Sequence, residues 1–258
     1  MPDLQTVVFH EPKAGMSADE WEDGAGHRDA DPVVGRPARL VVADGAAEAY
    51  DAIVWVDQLV TSFVGPDGPA ALEPDDLDRW FGAMQERWVE GARKFPNVFA
   101  EHKFRTMGSF ATLLGCDVHG LDGPRPYWRG VALGDAVLFQ LRKGEGVVAQ
   151  LPDIEAEAFG INPDGVFTQP SQRARMRAGL AFTGHDLRPD DVLYLTTDAL
   201  AQWLLRRDCW AEVAAIEHPR VFRRWVVEQR ERGMKNDDVT MLRAEVTAGD
   251  VEVLVLCR

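Results

Sequence analysis

The run VLYLTTD at residues 192–198 is a short apolar stretch, rich in residues that favour extended chain, and it stops on an aspartate. Residues Ala199 to Arg206 follow at once and read as a helix. A strand that meets a carboxylate at its end occurs twice more. RLVVA at 39–43 runs into Asp44 and Gly45, and Asn236, Asp237 and Asp238 lead into VTMLRAEV at 239–246. Glu22 and Asp23 form a fourth acidic cluster, at the end of an acidic loop that starts at Asp19.

Working outward from these junctions, the chain divides into helical and strand-like parts. Residues 5–9 (QTVVF) read as an early strand. Ala46 to Val64 carries Ile53, Val56, Leu59, Val60 and Phe63 at helical spacing, ended by Gly65 and Pro66. Asp75 to Lys94 places Leu77, Trp80, Phe81, Met84 and Trp88 on one face of a second helix, broken at Pro96 and Asn97. A short third helix covers Phe99 to His102. Three runs, 128–133, 137–142 and 147–151, are separated by Gly134-Asp135 and by KGEG at 143–146, and read as one antiparallel meander. Residues 153–191 lack periodicity and read as an irregular, flap-like segment. Helices at 199–206 and 220–232 and a last strand at 251–256 complete the pattern. The fold class is α+β: antiparallel sheets layered with helices, in one domain spanning residues 1–258.

Composition narrows the function. The 258 residues carry a net charge of −14 and are 46% hydrophobic, which suits a globular chain and argues against nonspecific nucleic-acid binding. Cys116, Cys209 and Cys257 have no CxxC spacing, so neither a disulfide framework nor a zinc site is expected. The N-terminal residues do not read as a signal peptide, and no apolar run approaches the ~20 residues of a membrane span. A cytoplasmic protein is expected. The six histidines form no HxH or HxxxH pair, Ser109 lies in no GxSxG elbow, and there is no GxxxxGK[ST] or GxGxxG loop. The basic stretch from His218 to Lys235 reads as a solvated helix face.

What remains is the acid at the strand ends. Taken singly, each aspartate is a helix cap or turn residue. Gathered at the rim of a buried sheet they would repel unless cations lay between them, and carboxylates with backbone carbonyls suit hard cations such as Mg2+ or Mn2+. Gly45 leaves its own carbonyl open to such an ion.

These pieces, in their order along the chain, resemble the metal-dependent protein phosphatases of the protein phosphatase 2C type, as a divergent member with a bacterial character. The matching segments are Glu22-Asp23, VADGA at 42–46, GSFAT at 108–112, VALGD at 131–135, DDVLYLTTDAL at 190–200 and NDDVTM at 236–241. The resemblance implies a sandwich of two antiparallel β-sheets flanked by helices. It implies two metals, Mg2+ or Mn2+, with Asp44 bridging them. Asp198 and Asp237 complete one site, and Glu22 with the Gly45 carbonyl holds the other. Asp135 matches a ligand of a third, weaker ion, and Asp23 acts through a bound water. The expected activity is hydrolysis of phosphoserine or phosphothreonine by a metal-activated water, with no catalytic side chain beyond the ligands. The expected partner is a phosphorylated protein substrate of a serine/threonine kinase, with no nucleic acid and no membrane.

Two positions depart from that pattern. Ala46 stands where some members carry a histidine, and Ala18 where a phosphate-binding arginine is common. Lys13, Arg28 and Arg36 are replacements for that arginine that the sequence does not rank. Arg173, Arg175 and Arg177, inside the flap-like segment, are candidate substrate-binding residues. The departures keep two other readings open: a catalytically weak regulatory or binding module, and a phosphomonoesterase for small molecules.

Overall fold

The computed structural model describes residues 3–91, 95, 97–160 and 163–247. Eleven strands and seven α-helices follow one another within these residues. They are β1 (Asp3–Glu11), β2 (Asp23–Arg28), β3 (Ala38–Gly45), α1 (Ala52–Val64), α2 (Pro74–Glu90) and α3 (Val98–Thr106). Then come β4 (Phe110–His119), β5 (Tyr127–Leu133), β6 (Val137–Arg142), β7 (Gly146–Leu151), β8 (Val166–Phe167), α4 (Arg173–Ala178) and β9 (Ala181–Asp186). The last are β10 (Val192–Thr196), α5 (Asp198–Arg207), α6 (Trp210–Ala214), α7 (Pro219–Glu231) and β11 (Val239–Thr247).

The strands form two antiparallel sheets. One has the order β1-β11-β10-β6-β7; the other runs β2-β3-β4-β5-β9, with β8 paired to β4. Period-two alternation explains how the layers stack. On β3, Leu40 and Val42 enter the core between the sheets, while Val41 and Ala43 pack under α1 and α2 with Trp55, Leu59, Phe63 and Trp80. On β10, Leu193 and Leu195 join the inter-sheet core, whereas Tyr194 packs under α5 and α7 with Trp203 and Phe222. Both faces of each central strand are therefore buried, and the runs read as continuous apolar stretches. The result is the four-layer α/β/β/α sandwich that the sequence implied.

Several local expectations need correction. The runs at 128–133 and 137–142 do not form one meander with 147–151. β5 pairs with β4 and β9 in one sheet, and β6 pairs with β10 and β7 in the other. Of these three strands, β6 and β7 alone pair with each other. The turn at Gly134-Asp135 carries the chain from sheet to sheet, and Gly134 permits it at φ +113°, where a Cβ would stand 2.6 Å from the Asp164 carbonyl oxygen. Residues 153–191 are not irregular throughout: β8, α4 and β9 lie within them. The acidic loop ends one residue early, since Asp23 opens β2. The first helix starts at Ala52 rather than Ala46, because residues 46–50 are tied to the chain before β4. The Ala46 N–H donates to the Phe110 carbonyl (3.2 Å) and the Tyr50 N–H to the Gly108 carbonyl (2.9 Å). The strand expected at 251–256 lies outside the described residues.

Candidate metal centre

Register brings the acidic strand ends together. In the β2–β3 ladder Asp23 lies opposite Asp44, and in the β3–β4 ladder Asp44 lies opposite Thr112. Asp135 follows β5 at the crossover, Asp198 is the first residue of α5 after β10, and Asp237 precedes β11, the neighbour of β10. Asp44, Gly45, Asp135, Asp198 and Asp237 thus line one pocket of about 430 Å³, with Lys235 among them. Thr112 and Gln202 supply further polar groups, and Ala46, Phe110, Phe159 and Pro163 supply apolar wall.

Charge accumulates here. Burial holds the Asp44 carboxyl well above the usual range, and Asp23, Asp198, Asp135 and Asp237 push it in the same direction. Asp135 is raised to about 7, by burial first and by Asp198 second. Burial also raises Glu22, helped by Asp238 and Asp237. Each of these groups is harder to ionise than a free carboxyl, first because it is withdrawn from water and second because its neighbours are acidic.

Some of the acid is already engaged. Asp23 is buried, and its Oδ2 accepts from Thr240 Oγ1 (2.7 Å) and Thr197 Oγ1 (3.0 Å). It therefore ties β2 to β10 and β11 and does not line the pocket. Asp238, which sequence reasoning missed, accepts the backbone N–H groups of Lys13 and Glu22, each at 2.7 Å. That pair of bonds holds the loop after β1 against the start of β11. Its only sequence signal was a second acid before a strand, which reads as a turn residue. Glu22 stands beside the pocket rather than in its lining: its carbonyl accepts the Gly45 N–H at 3.2 Å.

The second omission is Lys235. Its ammonium lies 2.6 Å from Asp198 Oδ2 and 2.8 Å from Asp237 Oδ2. It belongs to the basic stretch read as a solvated face, yet the turn after α7 aims it into the acid cluster. Arg230 from the same helix donates to the Asp237 carbonyl at 2.6 Å. Of the replacements considered for the missing arginine, Lys13 lies 4.0 Å from Asp237 Oδ1, whereas Arg28 binds the Val64 carbonyl and Arg36 pairs with Asp31.

Arg173, Arg175 and Arg177 do not reach the pocket lining. They sit on α4, and each has a carboxylate partner: Asp78 at 2.6 Å, Asp164 at 2.8 Å and Asp75 at 2.6 Å. Those pairs clamp α4 to α2 and to the loop before β8. Each guanidinium group is thus paired with a carboxylate outside the pocket.

Two observations test the site against hard cations. Asp198 Oδ1 and Asp135 Oδ2 are buried and have no hydrogen-bond partner, and Thr112 Oγ1 shares that condition. The acidic groups around the pocket offer oxygen atoms, as Mg2+ or Mn2+ requires. The residues present fit such ions. Among the described residues, however, no three His, Cys, Asp or Glu side chains stand as a ready-made metal cluster.

Gly45 makes a close approach that any side chain would block. A Cβ there would stand 2.6 Å from the Glu22 carbonyl oxygen and 3.2 Å from Ala52 Cβ. Gly45→Ala is expected to lower stability by about 1–3 kcal/mol, the usual range for overpacking. It should also weaken Mn2+ binding, since it parts β3 from Glu22. Thermal melts and a Mn2+ titration of the variant check both effects; wild-type values in both would show that the contact yields without consequence.

The fold is that of the protein phosphatase 2C type phosphatases. Three solved structures show the extent of the likeness. The catalytic domain of the serine/threonine protein phosphatase PstP in complex with two manganese ions has 18% identity and a TM-score of 0.61, covering 96% of this chain and 100% of that one. The Mycobacterium tuberculosis serine/threonine phosphatase PstP/Ppp has 16% identity and a TM-score of 0.64, covering 95% and 99%. The serine/threonine phosphatase Stp1 from Staphylococcus aureus has 12% identity and a TM-score of 0.63, covering 94% of each chain. No protein-family model matches the sequence, and no curated protein matches it.

Proposed function

We propose that this protein is a metal-dependent phosphatase that hydrolyses phosphoserine and phosphothreonine monoesters in cytoplasmic proteins. The observation that carries this reading is the pair of buried, unpartnered carboxylate oxygens, Asp198 Oδ1 and Asp135 Oδ2, on residues that line one acidic pocket. A buried carboxylate oxygen without a hydrogen-bond partner is costly, and a divalent cation is a partner that oxygen donors of this kind accept. The structural likeness to serine/threonine phosphatases, one of them holding two manganese ions, supports the same conclusion.

Asp44, Asp198 and Asp237 would hold one Mg2+ or Mn2+ ion, and Asp44, Glu22 and the Gly45 carbonyl the second. Asp135 would serve a third. Bound there, the ions would supply an acidified water and positive charge for the phosphoryl oxygens. The chain's own part is placement. Asp44 is fixed by ladders on both sides, and Asp23, locked by Thr197 and Thr240, keeps β2 aligned beneath it. Phe110, Phe159 and Pro163 give the pocket an apolar wall beside the acids. No histidine lines the pocket, so no imidazole is available as a general acid there.

Hydrolysis of p-nitrophenyl phosphate is expected to require Mn2+ or Mg2+ and to vanish in excess chelator. A phosphothreonine peptide should be hydrolysed under the same conditions. Full activity in chelator, with metal content verified as nil, would remove the proposal. Mn2+-dependent cleavage of small esters but of no phosphopeptide would move the substrate to small molecules.

A further inference from the structure

Among the described residues, Lys235 is the one cation that lines the acidic pocket. It sits in the turn between α7 and β11, and its ammonium joins two elements: Asp198 at the start of α5 and Asp237 in the approach to β11. Both contacts use the Oδ2 atoms, while Asp198 Oδ1 has no partner. The Asp198 side chain is 12% exposed and that of Lys235 is 46% exposed. One end of the bridge is therefore buried, and the other reaches towards solvent.

An exposed lysine beside one acid is ordinarily of small consequence. This lysine differs in having two carboxylates, one of them buried, inside a cluster whose remaining members are also acidic. Its positive charge lies against two of the acids where Asp44, Asp135, Asp198 and Asp237 crowd together, whereas Lys13 approaches only Asp237, at 4.0 Å. A carboxylate oxygen aimed at an ammonium does not at the same time take a place ~2.0–2.1 Å from Mg2+. Like charges that close would also repel.

We propose that Lys235 is a resident counter-ion of the metal centre. It bridges the Oδ2 atoms of Asp198 and Asp237 in the metal-free protein, and a divalent ion that draws on those atoms enters by displacing it. Loading is then an exchange of one cation for another, and the lysine lowers the affinity of this site for metal. In return it holds α5 and the start of β11 in register while no metal is bound. The inference rests on the reading of Asp198 and Asp237 as metal ligands.

The test is calorimetric titration of the full, metal-stripped chain with MnCl2, using wild type, Lys235→Met and Lys235→Arg. Lys235→Met is expected to bind Mn2+ about tenfold more tightly, or better, because no cation need leave. Its metal-free form should melt below wild type. Lys235→Arg is expected to bind several-fold more weakly than wild type, since a guanidinium fork spans two carboxylates more firmly than an ammonium does. This comparison decides the matter if Lys235→Met does not fold without metal. An affinity for Lys235→Met equal to or below that of wild type overturns the inference, as does Lys235→Arg binding as well as wild type. If wild type binds Mn2+ and the variants match it, only the role of the lysine falls. If none of the three binds Mn2+, the metal reading falls with it.

Discussion

Asp44→Asn is expected to lower metal-dependent phosphate monoester hydrolysis by about 10³-fold, the scale of removing one group that stabilises transition-state charge. Its metal-free form should melt at the wild-type temperature or above it. Both outcomes follow from the surroundings of the residue. Asp44 is raised well above the ordinary carboxyl range by burial and by four neighbouring carboxylates, so the fold holds its proton more tightly than the unfolded chain does. The stability that comes from this proton is fully present below the unfolded value of about 3.9 and is lost as pH rises through the raised folded value. Asparagine does not ionise and escapes the loss. The gap in melting temperature between Asp44→Asn and wild type should therefore widen from pH 5 to pH 8, in chelator. Asp198→Asn should lose activity to a similar extent but gain less stability, because it also weakens the contact with Lys235. A large fall in the metal-free stability of Asp44→Asn would show a structural aspartate rather than a ligand.

Asp191→Ala is expected to destabilise the protein by about 3–5 kcal/mol, since it leaves the buried Arg142 guanidinium to the exposed Asp186 in place of a buried carboxylate. Asp191 is 1% exposed and closes a polar network at the edge of the inter-sheet core. It accepts from Arg142 Nε (2.9 Å) and a terminal Arg142 nitrogen (2.8 Å), from Gln140 Nε2 (2.8 Å) and from the Arg188 N–H (2.8 Å). Gln140 in turn accepts the Trp128 indole N–H at 2.7 Å, so the network links β5, β6 and the start of β10. Burial alone would raise the Asp191 carboxyl. The bonds from Arg142, Arg188 and Gln140 outweigh it and leave the group below its ordinary value. A depressed carboxyl contributes stability that is present above the unfolded value of about 3.9 and lost as pH falls through the folded one. The cost of Asp191→Ala should thus be full at pH 7 and shrink below about pH 4, which urea melts at the two ends would show. A cost under about 1 kcal/mol at pH 7 would mean that water enters and takes over the role of the carboxylate.

The two predictions separate what was legible in the chain from what was not. Asp44 stood out because an apolar strand ran straight into it, and such a junction is visible in a single line of residues. Asp191 was no less acidic, but nothing in its neighbourhood announced Arg142, 49 positions away. Lys235 and Asp238 were passed over for the same reason. A lysine after a basic helix and an aspartate before a strand are ordinary surface features until their partners are known. The arginines of α4 show the same limit: three like charges close in sequence suggested a receptor for phosphate, and only the fold shows that each also has a carboxylate beside it.

The sequence by itself determined the layers. Alternation on β3 and β10, with apolar residues on both faces, requires a sheet covered on each side, and the helical spacing at 53–63 and 77–88 supplies one of the covers. It also determined that carboxylates stand at strand ends, and the tight turn of the β6–β7 hairpin. The tertiary structure decided which sheet each strand joined, so that β5 and β6, adjacent in the chain, went to different ones. It decided that Asp44, Asp135, Asp198 and Asp237 share a pocket, and that Asp23 and Asp238 turn away to hydroxyls and backbone amides. The physical reason is that periodicity reports which face of a segment is buried, a local property of side-chain direction. Pairing between distant strands depends on register and on the compensation of charge, and both are settled only when residues far apart in the chain compete for the same place.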